Sequence, residues 1–87
     1  MTTIADFRVM PFEQKCDLVT YNGHYLMHRF LGECKVFLYH TEGFYIEVFY
    51  SPKYQKVLMI NAFDMLIGLE PYLEMVSLAD LERRPAI

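Results

Sequence analysis

Large apolar side chains occupy both alternating sets of positions through the middle third of this chain. Over 34–39 and 44–50 they fall on odd and even numbers alike. Successive strand side chains point to opposite faces, so these runs describe a small sheet that is apolar on both sides. In a chain of 87 residues, each apolar side needs a cover: a helix, a partner chain or a ligand.

The flanking segments supply helical candidates. Thr3, with Asp6 three residues on, is a capping-box signature that opens a helix ahead of Pro11. After Pro11, the residues Phe12, Cys16 and Val19 repeat at i, i+4, i+7 and form one apolar stripe, with Glu13, Gln14 and Asp17 outside it. Asn22-Gly23 is a stop signal in which either residue tolerates the left-handed conformation. One helix, bent or broken near Pro11 and ending at about Tyr21, is therefore expected within 1–22.

Beyond Gly23 the period changes from helical to alternating. Segments 25–31, 34–39, 44–50 and 56–62 read as strands joined by short links, and links this short join only antiparallel neighbours. A three-residue loop Thr41-Glu42-Gly43 pairs His40 with Phe44, Leu38 with Ile46 and Val36 with Val48. Pairing Tyr50 with Lys56 continues the ladder to Leu58 and Ile60. One face then carries Val36, Leu38, Phe44, Ile46, Val48, Tyr50, Leu58 and Ile60, and is the expected core beneath the helix. The opposite face carries Lys35, Phe37, Tyr39, Tyr45, Glu47, Phe49, Val57, Met59 and Asn61. A two-residue Gly32-Glu33 turn places Arg29 on the core face and His28 opposite, in the least constrained strand of the four.

The tail, 63–87, is rich in Leu and Ile. Pro71 suits the first turn of a short helix through Tyr72, Leu73 and Met75, and Ser77 with Asp80 suggests a second short turn. The expected fold is α+β in a single domain: an N-terminal helix on a four-stranded antiparallel meander, then a short C-terminal helical tail.

Composition narrows the function classes. Hydrophobic residues make up 54% of the chain and charged residues 22%, which marks a globular chain rather than a disordered one. Net charge is −3, and the eight Lys and Arg are scattered apart from Arg83-Arg84. A basic face for nucleic acid is not expected. Cys16 and Cys34 lie outside any CxxC motif and read as buried free thiols. Asp6, Arg8, Glu13 and Lys15 interrupt any apolar export segment, and no run is long enough to span a membrane. A cytoplasmic protein is expected.

Little in the sequence resembles catalytic machinery. His24 and His28 have helical i, i+4 spacing but follow the helix stop, and on a strand they would stand roughly 13 Å apart, too far to share a metal ion. No metal or cofactor is expected, and the isolated glycines form no phosphate loop. Glu47 draws the eye because it sits mid-strand among Tyr45, Phe49, Phe37 and Met59. The commonest setting for such a carboxylate is solvated; the alternatives are hydrogen bonds to tyrosine hydroxyls or acid–base work, with His28, Tyr39 and Asn61 as neighbours.

The function expected from these features is a small non-catalytic interaction or regulatory protein. It would form a homodimer, or bind another protein, through Phe37, Tyr39, Tyr45, Glu47, Phe49 and Met59 or through the tail. The alternative is a small-molecule-binding domain with an aromatic pocket around Glu47.

Overall fold

The computed structural model describes residues 2–73. Two helices open the chain: α1 (Ile4–Arg8) and α2 (Phe12–Asn22). The capping box is formed at α1, where the Thr3 hydroxyl accepts from the Asp6 N–H at 3.1 Å and Asp6 Oδ2 accepts from the Thr3 N–H at 3.4 Å. Pro11 separates the helices as the N-cap of α2. The inward side of α2 is Leu18 and Val19, while Phe12 is exposed and Cys16 half-buried, so the expected stripe is only partly an inner face. Gly23 ends α2 in an extended conformation (φ −82°), not the left-handed one. It is needed for space: a Cβ there would lie 2.6 Å from the Val19 carbonyl oxygen.

Four strands follow: β1 (His24–Leu31), β2 (Cys34–Thr41), β3 (Phe44–Ser51) and β4 (Lys56–Phe63). They form one antiparallel sheet in the order β1-β2-β3-β4. The register differs from expectation at both later hairpins. Thr41 stays in the ladder and pairs with Phe44, leaving a two-residue Glu42-Gly43 turn with Gly43 at φ +87°. Leu38 therefore faces Glu47, and Tyr39 faces Ile46. Between β3 and β4 the pairs are Ser51 with Lys56 and Tyr50 with Val57, and a bulge at Leu58 then brings Phe49 to Met59 and Ile46 to Ala62. A one-residue slip exchanges sheet faces, so Val36 and Leu38 lie opposite Phe44, Ile46 and Val48 rather than beside them.

The helices cover the side of Phe44, Ile46 and Ala62, where Phe7 and Val19 complete the buried cluster with Ile4, Leu18 and Ile60 against it. The other side buries Val36, Leu38 and Glu47. There a 3-10 turn (Leu66–Leu69) leads into α3 (Glu70–Leu73), with Pro71 in its first turn as expected. Gly68 lets this segment cross close to β4, since a Cβ would fall 2.3 Å from the Phe63 ring. Tyr72 is the buried residue of α3, while Leu66 is 77% exposed and Ile67 and Leu73 are also exposed. The expected continuation of this helix to Met75 and the turn expected at Ser77 and Asp80 lie outside the described residues.

Candidate functional site

Glu47 sits on β3, an inner strand, with Leu38 and Asn61 as its cross-strand partners. Its side chain is 8% exposed, which overturns the expectation of a solvated carboxylate. Its Oε2 accepts from the Tyr72 hydroxyl at 2.7 Å and from the Arg29 guanidinium at 3.3 Å; its Oε1 accepts from Asn61 Nδ2 at 2.9 Å. The Arg29 guanidinium lies over the Tyr72 ring, 5.1 Å from its centroid. One carboxylate thus ties together side chains from β1, β3, β4 and α3.

The charges fit this arrangement. Burial disfavours the Arg29 cation, but the nearby Tyr72 hydroxyl and Glu47 carboxylate outweigh it and hold the guanidinium pKa above its ordinary value. Burial, reinforced by the Glu47 hydrogen bond, pushes the Tyr72 hydroxyl far above the usual tyrosine range. Tyr72 is therefore a fixed proton donor, and both oxygens of Glu47 are occupied by internal donors. A carboxylate satisfied in this way is a structural anchor rather than a free base.

The raised Tyr72 pKa has a measurable consequence. The folded value lies above the unfolded value of 10.0. The stability this group contributes is fully present below pH 10 and is lost as pH rises from there through the folded value. Urea midpoints should fall above pH 10 in the native chain and fall less steeply in Tyr72→Phe. Parallel slopes for the two proteins would contradict the assignment.

The structure divides the residues expected to share a site. Tyr45, Glu47, Phe49 and Met59 lie on the α3 side of the sheet, and Phe37 and Tyr39 lie on the helix side. Tyr45 stacks on Phe63, with centroids 5.3 Å apart, and meets His40 at 5.0 Å. Of the neighbours proposed for Glu47, Asn61 is in contact with it, whereas His28 and Tyr39 are on the opposite side. Arg29 and Tyr72 were missed as partners. The Gly32-Glu33 turn places Arg29 on the face of Val36, which the structure pairs with it. The expected register puts Glu47 on the opposite face, and the slip between β2 and β3 is what brings Glu47 to theirs. Tyr72 is 25 residues from Glu47, and its only signal was a tail too apolar to stand in water.

A second cluster lies on the helix side, along the β1 edge. Tyr25 packs against Tyr39 and Phe37 at 5.7 and 6.3 Å, and His28 against Phe37 and Phe30 at 6.1 and 5.7 Å. The Tyr25 hydroxyl is 2.9 Å from His28 Nδ1. Lys35 Nζ lies 5.1 Å from the centroid of the Phe37 ring and 6.0 Å from that of Phe30. Phe30 is nevertheless 68% exposed, and Tyr25, Leu26 and Leu31 are about half exposed.

Cys16 and Cys34 are free and half-buried rather than fully buried. Burial, with Asp17 and Glu13 nearby, pushes the Cys16 thiol up and away from its reactive form. Among the described residues no three or more of His, Cys, Asp and Glu are grouped to hold a metal ion. No helix among them is long and apolar enough to cross a membrane.

The fold and these clusters define an α+β domain with a tied carboxylate and an aromatic strand edge. Comparison with protein-family models, with curated proteins and with solved structures found no match.

Proposed function

We propose that this chain is a small, non-catalytic cytosolic interaction or regulatory protein that associates with a second copy of itself. The observation that carries the reading is the set of apolar side chains left exposed on the outermost strand, β1: Tyr25 and Phe30 on the helix side beside Phe37, and Leu26 and Leu31 on the α3 side. An outer strand that presents apolar side chains on both faces beside unpaired backbone groups marks an interaction site. The exposed tail residues Leu66, Ile67 and Leu73 offer a second surface of the same kind. Glu47, the residue that most invited a chemical role, is engaged in holding α3 to the sheet.

Light scattering over a range of concentrations tests this. The mass should rise from the single-chain 10.4 kDa toward twice that value. A mass fixed at one chain throughout would remove self-association.

One feature favours a second reading, a small-molecule binder. A cleft of about 220 Å³ lies between β1 and α3, lined by Leu26, Met27, Leu38, Tyr45, Leu69, Tyr72 and Leu73. That is below the usual range for drug-sized ligands, so an occupant would be small and apolar. A rise in melting temperature with small apolar compounds, absent when Leu38 is enlarged to Phe, would support it.

A further inference from the structure

We infer that β1 is a docking strand, and that its occupant is β1 of a second copy, paired antiparallel about a two-fold axis to make one continuous eight-stranded sheet. This rests on the self-association just proposed and specifies its surface. The two edges of the sheet are treated differently. At β4 the Arg8 guanidinium donates to the Ala62 carbonyl at 3.2 Å, Leu58 bulges out of register, and Lys56 opens the strand. Capped carbonyls, bulges and lysines are the devices that keep an edge from pairing.

The β1 edge has a bulge at Leu26, but Met27 to Leu31 then pair with β2 in unbroken register. The strand contains no Pro or Lys. Its one formally charged side chain, Arg29, is neutralised by Glu47 on the α3 side, so it presents no free charge to repel a second copy. The remaining side chains along the edge are uncharged or imidazole, and four of the apolar ones stand at least half exposed or close to it.

The choice of occupant follows from that charge pattern. An antiparallel edge is complementary to itself, because a two-fold axis sets each outward N–H against a carbonyl of the other copy. A partner strand must be uncharged along its pairing surface to lie beside Phe30 and Leu26 without stranding a charge. Among the strands of the described residues, β2 and β3 are internal and β4 is guarded, so β1 is the one that meets the condition. The geometry also bounds the strength. Eight residues span roughly 27 Å, and one strand edge of that length buries well under the about 800 Å² per partner of a standard stable interface. Association in the micromolar range or weaker is expected, so dilute samples should be monomeric.

Amide hydrogen exchange and sedimentation on the full chain, from low micromolar concentration upward, test the inference. Protection of amides in 26–31 should increase with concentration in step with the mass. Phe30→Lys and Leu26→Lys, both at exposed positions, should each raise the dimer dissociation constant by about tenfold or more, since the two-fold axis brings each new charge in twice. The control Tyr54→Lys, on the distant β3–β4 turn, should leave it unchanged.

A dimer that survives both β1 variants but is lost on Leu66→Lys would overturn the inference and leave the self-association reading standing, with the tail as its surface. Mass constant at one chain at every concentration would overturn both. Should either variant fail to fold, the exchange profile of the unaltered chain still decides. Concentration-dependent protection located outside β1 contradicts the pairing.

Discussion

Replacing Glu47 with alanine is expected to lower folding stability by about 3–5 kcal/mol. The size comes from what is left behind. The Arg29 side chain is 15% exposed and would keep its charge without a counterion. The Tyr72 hydroxyl and Asn61 amide would lose their acceptor. An orphaned buried donor costs about 1–3 kcal/mol, and a charged one more. Against a total of about 5–15 kcal/mol for a domain, the loss is a large share. The pair itself contributes far less than breaking it costs, because its attraction is offset by desolvation of both charges. Glu47→Leu combined with Arg29→Met should therefore recover the part of the loss that comes from the unpaired Arg29 charge, while the Tyr72 hydroxyl and Asn61 amide stay without an acceptor. Urea unfolding of the three proteins checks both statements. An unchanged midpoint in Glu47→Ala would mean that the carboxylate is not the anchor of this face.

The elements of this fold were legible in the sequence because each is written locally. The Thr3–Asp6 box, the Pro11 break, the change of period after Gly23 and the short links fall within a few residues of the structure they specify. The pairing of the strands was less legible. In β2 both alternating sets are apolar, so hydrophobic pattern could not choose between two registers one residue apart. The choice was made by Thr41, which is buried and stays in the ladder, shortening the turn to Glu42-Gly43. The bulge at Leu58 carries no strong signature either, since the flanking residues are apolar on both sides. From this one slip came the division of the expected site between two faces.

The Glu47 cluster was half visible for the same reason. Asn61 was legible as a neighbour on the next strand, but the expected register set Arg29 on the face opposite Glu47, and only the Thr41–Phe44 pairing brings the two to one face. Tyr72 reaches Glu47 from the far end of the chain, where only the need to bury an apolar tail hinted at contact. The edge position was legible, because short links in a meander leave the first and last strands outermost, whereas the bulges and the Arg8 contact that distinguish the two edges are properties of the assembled sheet.

Phe7→Ala should cost about 3–5 kcal/mol, the usual range for emptying a buried aromatic site. Phe7 is 1% exposed, with its ring centroid 5.5 Å from that of Phe44. It is the buried residue of α1, a helix of five residues. A helix so short is far below the length that holds itself together in water, so its capping box stabilises a conformation that packing must first select. Thr3→Ala, which removes the cap alone, should cost only about 1 kcal/mol. The two substitutions should also differ in a second observable. Without Phe7, α1 loses its hold on the sheet, and the Arg8 contact with the Ala62 carbonyl goes with it. That contact guards the β4 edge, so Phe7→Ala should expose a second pairing edge and form species larger than a dimer, while Thr3→Ala should not. Sedimentation of both variants at equal concentration reads the difference. If Phe7→Ala is destabilised but assembles no further than the unaltered chain, then the bulge at Leu58 and the lysine at 56 protect β4 without help from α1.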